Sequence, residues 1–115
     1  MRIPKRLVSG SVLTGSAATY YTVPTNTNAV IPPKAVIRRM TLCNTTAGAV
    51  SCTVYLIPSG GAAAAANTIV SARSVAIGET WNATEAEGHV LEAGGFIQAL
   101  GNGVTLMVSG EELTT

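Results

Sequence analysis

Apolar and polar positions alternate with a period of two in several short stretches, most clearly over residues 36–58, VIRRMTLCNTTAGAVSCTVYLIP. Val50, Cys52, Val54 and Leu56 fall on one side, and Ser51, Thr53, Tyr55 and Ile57 on the other. That is the repeat of a strand with at least one buried face. The stretch predicts two strands joined by a tight hairpin turn at residues 46–49, where Gly48 can take the positive φ a short turn requires. A turn centred between Ala47 and Gly48 sets Cys43 opposite Cys52, Leu42 opposite Thr53 and Met40 opposite Tyr55. Directly opposed cysteines form at best a strained disulfide; two buried, reduced thiols are the alternative, favoured by the habit of free cysteine to pack as a small hydrophobe.

The same pattern recurs more weakly elsewhere. Residues 6–13 alternate loosely, and residues 18–23 (ATYYTV) form a clearer strand stopped by Pro24. The TNTN run at 25–28 is turn chemistry, and residues 29–31 pair briefly before Pro32 and Pro33 impose an extended connection. Five alanines at 62–66 are too few for a stable helix and predict one helical turn at most. Strands follow at 68–77, 79–82, 96–100 and 104–109, separated by Gly78, by EAGG at 92–95 and by GNG at 101–103. Residues 85–91 are a turn of helix or a loop, and the tail from Gly110 extends the last strand or frays. Seven to eight short strands at regular spacing, without βαβ alternation, heptads or internal repeats, predict an all-β, single-domain antiparallel β-sandwich, jelly-roll-like in organisation. Residues 1–115 make one domain, with 1–11 a candidate N-terminal arm.

Composition narrows the function. Of 115 residues, 47% are hydrophobic and only 11% are charged, against about 25% charged in an average domain. All six acidic residues are glutamates. So lightly charged a surface implies stable contact with other chains, either further copies or a partner. A net charge of +1 argues against a dedicated nucleic-acid binder. No apolar run approaches the ~20 residues of a membrane span. The start, MRIPKRLVSGSVL, lacks the apolar centre of a signal peptide, which points to folding in a cytoplasm with reduced thiols.

The catalytic inventory is thin. His89 is the single histidine, and without aspartate no Ser-His-Asp triad can be assembled. Cys43, Cys52 and His89 match no zinc spacing. Glu85, Glu87 and Glu92 lack the interleaved Asp, Asn and Gly of a calcium loop. The glycine pairs at 60–61 and 94–95 lack the strand-to-helix setting of a phosphate cradle. The Asn44 and Asn82 sequons are the chance product of a Thr-rich chain. No catalytic residue, cofactor or metal is expected. Arg2, Lys5 and Arg6 form a basic cluster, and Trp81 and Phe96 are aromatics that a glycan face or a neighbouring subunit could use. These five are the candidate partner contacts.

The segments TYYTVPTNTNAV, TLCNTTAGAVSCTVYLIPSGG, TIVSARSVAIGETW, GHVLEAGGFIQAL and VTLMVSGEE resemble small structural proteins of tailed-bacteriophage virions, over roughly residues 19–112. The family phrase often carries an Asp before its Ile-Gln-Ala strand; here Gly94 is followed by Gly95, which weakens any charged or metal-binding role at that turn. The resemblance implies a compact β-sandwich without catalysis. It implies a capsid decoration (cement) protein that is homo-oligomeric and bound to the major capsid protein or other virion proteins. Its location would be the virion, assembled in the host cytoplasm, with no nucleic-acid or membrane partner. The alternative is a head-neck, tail or fibre module that binds a host receptor or glycan. A secreted carbohydrate-binding domain is a third reading, disfavoured by the missing signal.

Overall fold

The computed structural model describes residues 2–25 and 32–113, with the backbone alone at Arg2. The brief pairing expected at 29–31, and most of the turn at 25–28, lie outside the described residues. Nine strands are present among those described: β1 (Arg2–Val12), β2 (Ala18–Thr22), β3 (Lys34–Asn44), β4 (Val50–Ile57), β5 (Thr68–Val75), β6 (Thr80–Asn82), β7 (Val90–Leu91), β8 (Phe96–Leu100) and β9 (Val104–Leu113). The alanine run yields one 3-10 turn at Ala65–Asn67, and the ambiguous segment before β7 holds another at Thr84–Ala86.

Two antiparallel sheets face each other. The first has the order β1-β9-β3-β6, with β7 also paired to β3; the second has the order β2-β8-β4-β5. With β6 and β7 serving as one interrupted strand, this is the order of an eight-strand jelly roll. Of the connections between consecutive strands, only β4 to β5 is a hairpin within one sheet.

The hairpin expected at residues 36–58 is therefore corrected. β3 and β4 belong to different sheets, and residues 45–49 arch across the sandwich. Cys43 lies opposite Thr105 and Thr80, whereas Cys52 lies opposite Arg73. Both thiols are free; Cys52 is in the core and Cys43 is half-buried on the outer face of the first sheet. Alternation with period two marks a strand but not its partner, because a strand turning back and a strand crossing over leave the same pattern.

Asn44 explains why the chain crosses there. It is fully buried, and its amide nitrogen donates to the carbonyls of Gly48 (2.8 Å) and Val75 (2.9 Å). Its Oδ1 accepts from the Thr46 N–H (2.9 Å) and the Thr46 hydroxyl (2.6 Å). Its own N–H donates to the Glu79 carbonyl, and its carbonyl accepts from Gly78. One side chain thus ties the β3–β4 arch to the β5–β6 arch, and its whole hydrogen-bonding capacity is used.

The core lies between the sheets and is built from Leu7, Val8, Ile37, Met40, Leu42, Val54, Val75, Ile97, Leu106 and Val108, with smaller neighbours. Each such aliphatic side chain contributes roughly 1.5–3 kcal/mol on burial. Of the register shifts in the ladders, two bear on which side chains face the core. An extra residue in β1 between Arg6 and Val8 lets Leu7 and Val8 both face inward. An extra residue in β3 between Ile37 and Arg39 leaves Arg38 and Arg39 both exposed before Met40 returns to the core. Opposite that second bulge sits Gly110, where an added Cβ would stand 2.1 Å from the Val36 carbonyl oxygen. The close approach admits only glycine, and β9 continues through it to Leu113 instead of fraying.

Residues 2–11 of the candidate arm instead belong to the edge strand β1, paired with β9 from Arg2–Leu113 to Val12–Thr105. The long complementary edge of β9 captures them. Ile57 departs from its neighbours as well. It is buried outside the main core cluster, on the side away from Val54, and its Cγ2 lies 3.1 Å from where a Cβ on Gly61 would stand.

Candidate functional site

Three places carry chemistry or an unusual surface. The first is the outer face of the β1-β9-β3-β6 sheet. Outward positions there run Val12, Thr105, Cys43 and Thr80 in one row and Met107, Thr41 and Asn82 in the next. Val12 is 65% exposed and Met107 43%. Neither row contains a charge. Arg6 and Arg39 follow, each opposite Ser109, and beyond them Arg38 pairs with Glu111 at 3.2 Å.

The second is a polar cluster where β1 and β9 meet β2. Glu112 is buried although it lies near the end of β9. The Tyr21 hydroxyl donates to Glu112 Oε2, and Lys5 Nζ lies 3.4 Å from Oε1. Burial and the adjacent carboxylate both raise the Tyr21 pKa well above its ordinary value, burial being the larger cause. The cluster joins the two sheets through a charge-assisted hydrogen bond. Lys5 is thus engaged within the chain, while Arg6 is exposed on the outer face. Arg2 contributes its backbone to β1, opposite Leu113.

The third is an open cleft of about 520 Å³ where the edges of the two sheets converge, lined by Ile69–Ser74 of β5, Trp81 of β6 and Glu85. Trp81 lies opposite Leu42, packs partly against the core, and carries the Arg73 guanidinium 4.6 Å above its ring. A cation over an indole face is attracted by the ring quadrupole. Along the cleft β5 is irregular. Its ladder with β4 shifts twice, Ala72 takes a φ of +47°, and the Ala72 N–H donates to Thr53 Oγ1 at 3.1 Å. A non-glycine residue in that left-handed region is uncommon.

Trp81 and Phe96 do not form one aromatic face. Phe96 lies on β8 of the other sheet, opposite Thr22 and Ile57, and Trp81 faces the cleft. Cys43, Cys52 and His89 are not brought together, and among the described residues no group of three or more His, Cys, Asp or Glu could hold a metal ion. His89 is exposed, and Glu92 pairs with Lys34 at 3.5 Å. Sequence reasoning missed Arg73, Asn44 and Glu112. For Arg73 a signal existed, since it is the one charged residue in the strand expected at 68–77.

No family model and no curated protein matches the chain. Among solved structures, a chain of the crystal structure of the T13 IBDV viral particle is similar at 12% identity and a TM-score of 0.47, over 97% of this chain and 29% of that one. A chain from the Gx strain of infectious bursal disease virus is similar at 13% identity and a TM-score of 0.46, over 97% and 30%. The present chain therefore spans less than a third of the length of either.

Proposed function

We propose that this chain is a non-enzymatic structural component of a bacteriophage virion, and specifically a capsid decoration or cement protein. In this reading it assembles as a homo-oligomer and binds neighbouring copies of the major capsid protein or other virion proteins. The observation that carries the proposal is the pair of uncharged rows on the outer face of the β1-β9-β3-β6 sheet. Val12, Thr41, Cys43, Met107 and their neighbours present a face suited to cover by another chain, with Arg6 and Arg39 at its border to orient an acidic partner surface. The resemblance to virion proteins, drawn from the sequence, agrees with this. Many modest contacts repeated on a lattice add through avidity, so each copy needs only a small face.

The test is cosedimentation of the purified protein with empty heads that lack it. Saturable binding is expected, lost in Thr41→Glu and Met107→Glu variants whose circular-dichroism spectra match the parent. Absence of binding to heads at any concentration would overturn the proposal. The Arg73–Trp81 cleft favours a second reading, a head-neck, tail or fibre module that binds a host receptor or glycan. That reading is separated from the first by binding to saccharides but not to heads.

A further inference from the structure

The geometry points to the cleft between β5 and β6 as a binding site for a carboxylated saccharide, with Arg73 holding the carboxylate from its place over the Trp81 ring. This inference rests on the glycan-binding reading above and names its ligand class. Among the described residues Arg73 has no carboxylate within ion-pair distance. Glu85 lines the same cleft without pairing with it. The guanidinium is instead held over the indole, 4.6 Å from the ring centroid, and its N–H donors remain for a ligand. Planar bidentate recognition of a carboxylate is what a stacked arginine offers and a lysine does not.

The rest of the lining suits a sugar. Ser71 and Ser74 carry hydroxyls that can donate and accept, and the Glu85 carboxylate accepts from ring hydroxyls. Trp81 lies under Arg73 and holds the guanidinium at the cleft. The volume, about 520 Å³, falls inside the ~300–1,000 Å³ usual for small-molecule sites. An acidic peptide is the weaker fit. Strand addition to an edge needs an unbroken row of N–H and C=O groups, and β5 is interrupted by two register shifts and by the left-handed Ala72.

Trp81 is the single tryptophan, so its fluorescence reports the site directly. The purified protein is titrated with trigalacturonate and with sialyllactose, and in parallel with neutral lactose and a hexaglutamate peptide. A saturable change with at least one acidic saccharide is expected. Affinity should fall at least about tenfold for lactose and for the Arg73→Gln variant. Arg73 is exposed, and unchanged urea unfolding of the variant would exclude loss of fold. Equal response to lactose, or an undiminished response in Arg73→Gln, overturns the carboxylate inference while leaving a glycan-binding module standing. Response to the peptide alone, or to none of the four, overturns both.

Discussion

Replacing Asn44 by alanine should cost about 3 kcal/mol of unfolding free energy. The side chain makes four hydrogen bonds from a site with no solvent exposure, and each neutral bond has a net worth of ~1 kcal/mol. The loss is uneven. Thr46 lies toward the surface, and its hydroxyl keeps a second partner in the Gly48 carbonyl at 2.8 Å. The Val75 carbonyl loses its side-chain donor inside the fold, and leaving a buried acceptor unpaired costs ~1–3 kcal/mol. Against a typical total of ~5–15 kcal/mol the change is large. It lowers Tm by roughly 10 °C for a domain of this size. Asn44→Asp is the sharper variant. Its carboxylate can still accept from Thr46, but it sets negative oxygen against the Gly48 and Val75 carbonyls where two N–H donors stood. Aspartate should therefore be no better than alanine, despite its near-identical shape. Urea unfolding at fixed protein concentration measures both. If alanine costs less than ~1 kcal/mol, or aspartate proves more stable than alanine, the arch is not held by this side chain.

Other outcomes follow from the same geometry. Gly110→Ala should destabilise by ~2 kcal/mol or more, because its Cβ would meet the Val36 carbonyl at 2.1 Å; thermal unfolding equal to the parent refutes the close approach. Tyr21 has its pKa raised in the fold, so it contributes stability that is intact below its unfolded value of 10.0 and is lost as pH rises above it. Alkaline unfolding should accordingly lose part of its steepness in Tyr21→Phe, and a spectrophotometric titration should show a late-ionising tyrosine that is absent from this variant. A thiol reagent should modify Cys43 in the native protein and reach Cys52 only on unfolding, since burial both hides Cys52 and raises its pKa; equal rates would contradict the placement of Cys52 in the core and Cys43 on an outer face.

The strands were legible in the sequence because alternation and turn chemistry are local. β2, β4 and β8 fall within a residue or two of where the pattern put them. Which strands pair was not legible, because β3 followed by β4 has the same pattern whether it turns back or crosses over. The clue to the crossing is Asn44, one polar residue at an inward position just before the turn, and its burial depends on Val75, distant in sequence. The full length of β1 was not legible for a related reason, and the sequence alone left open whether β9 runs on past Gly110. Ser9, Gly10, Gly110, Glu111 and Glu112 look like solvent-facing tail chemistry, yet the two segments supply each other with a partner edge. Glu112 is drawn inside by a tyrosine from the opposite sheet. Trp81 was identifiable as a candidate contact from residue type alone. Its cleft was not, because it exists only where edges from two sheets converge and where β5 bulges.

The central claim, a protein whose sparsely charged face is covered by its neighbours on a shell, is tested most directly by its copy number in purified particles. Quantitative mass spectrometry against the major capsid protein gives that number. A cement protein repeated over the lattice should appear in hundreds of copies, in a fixed ratio to the capsid subunit. A handful of copies in a multiple of three or six would move it to the tail, and its absence from the particle would contradict the account.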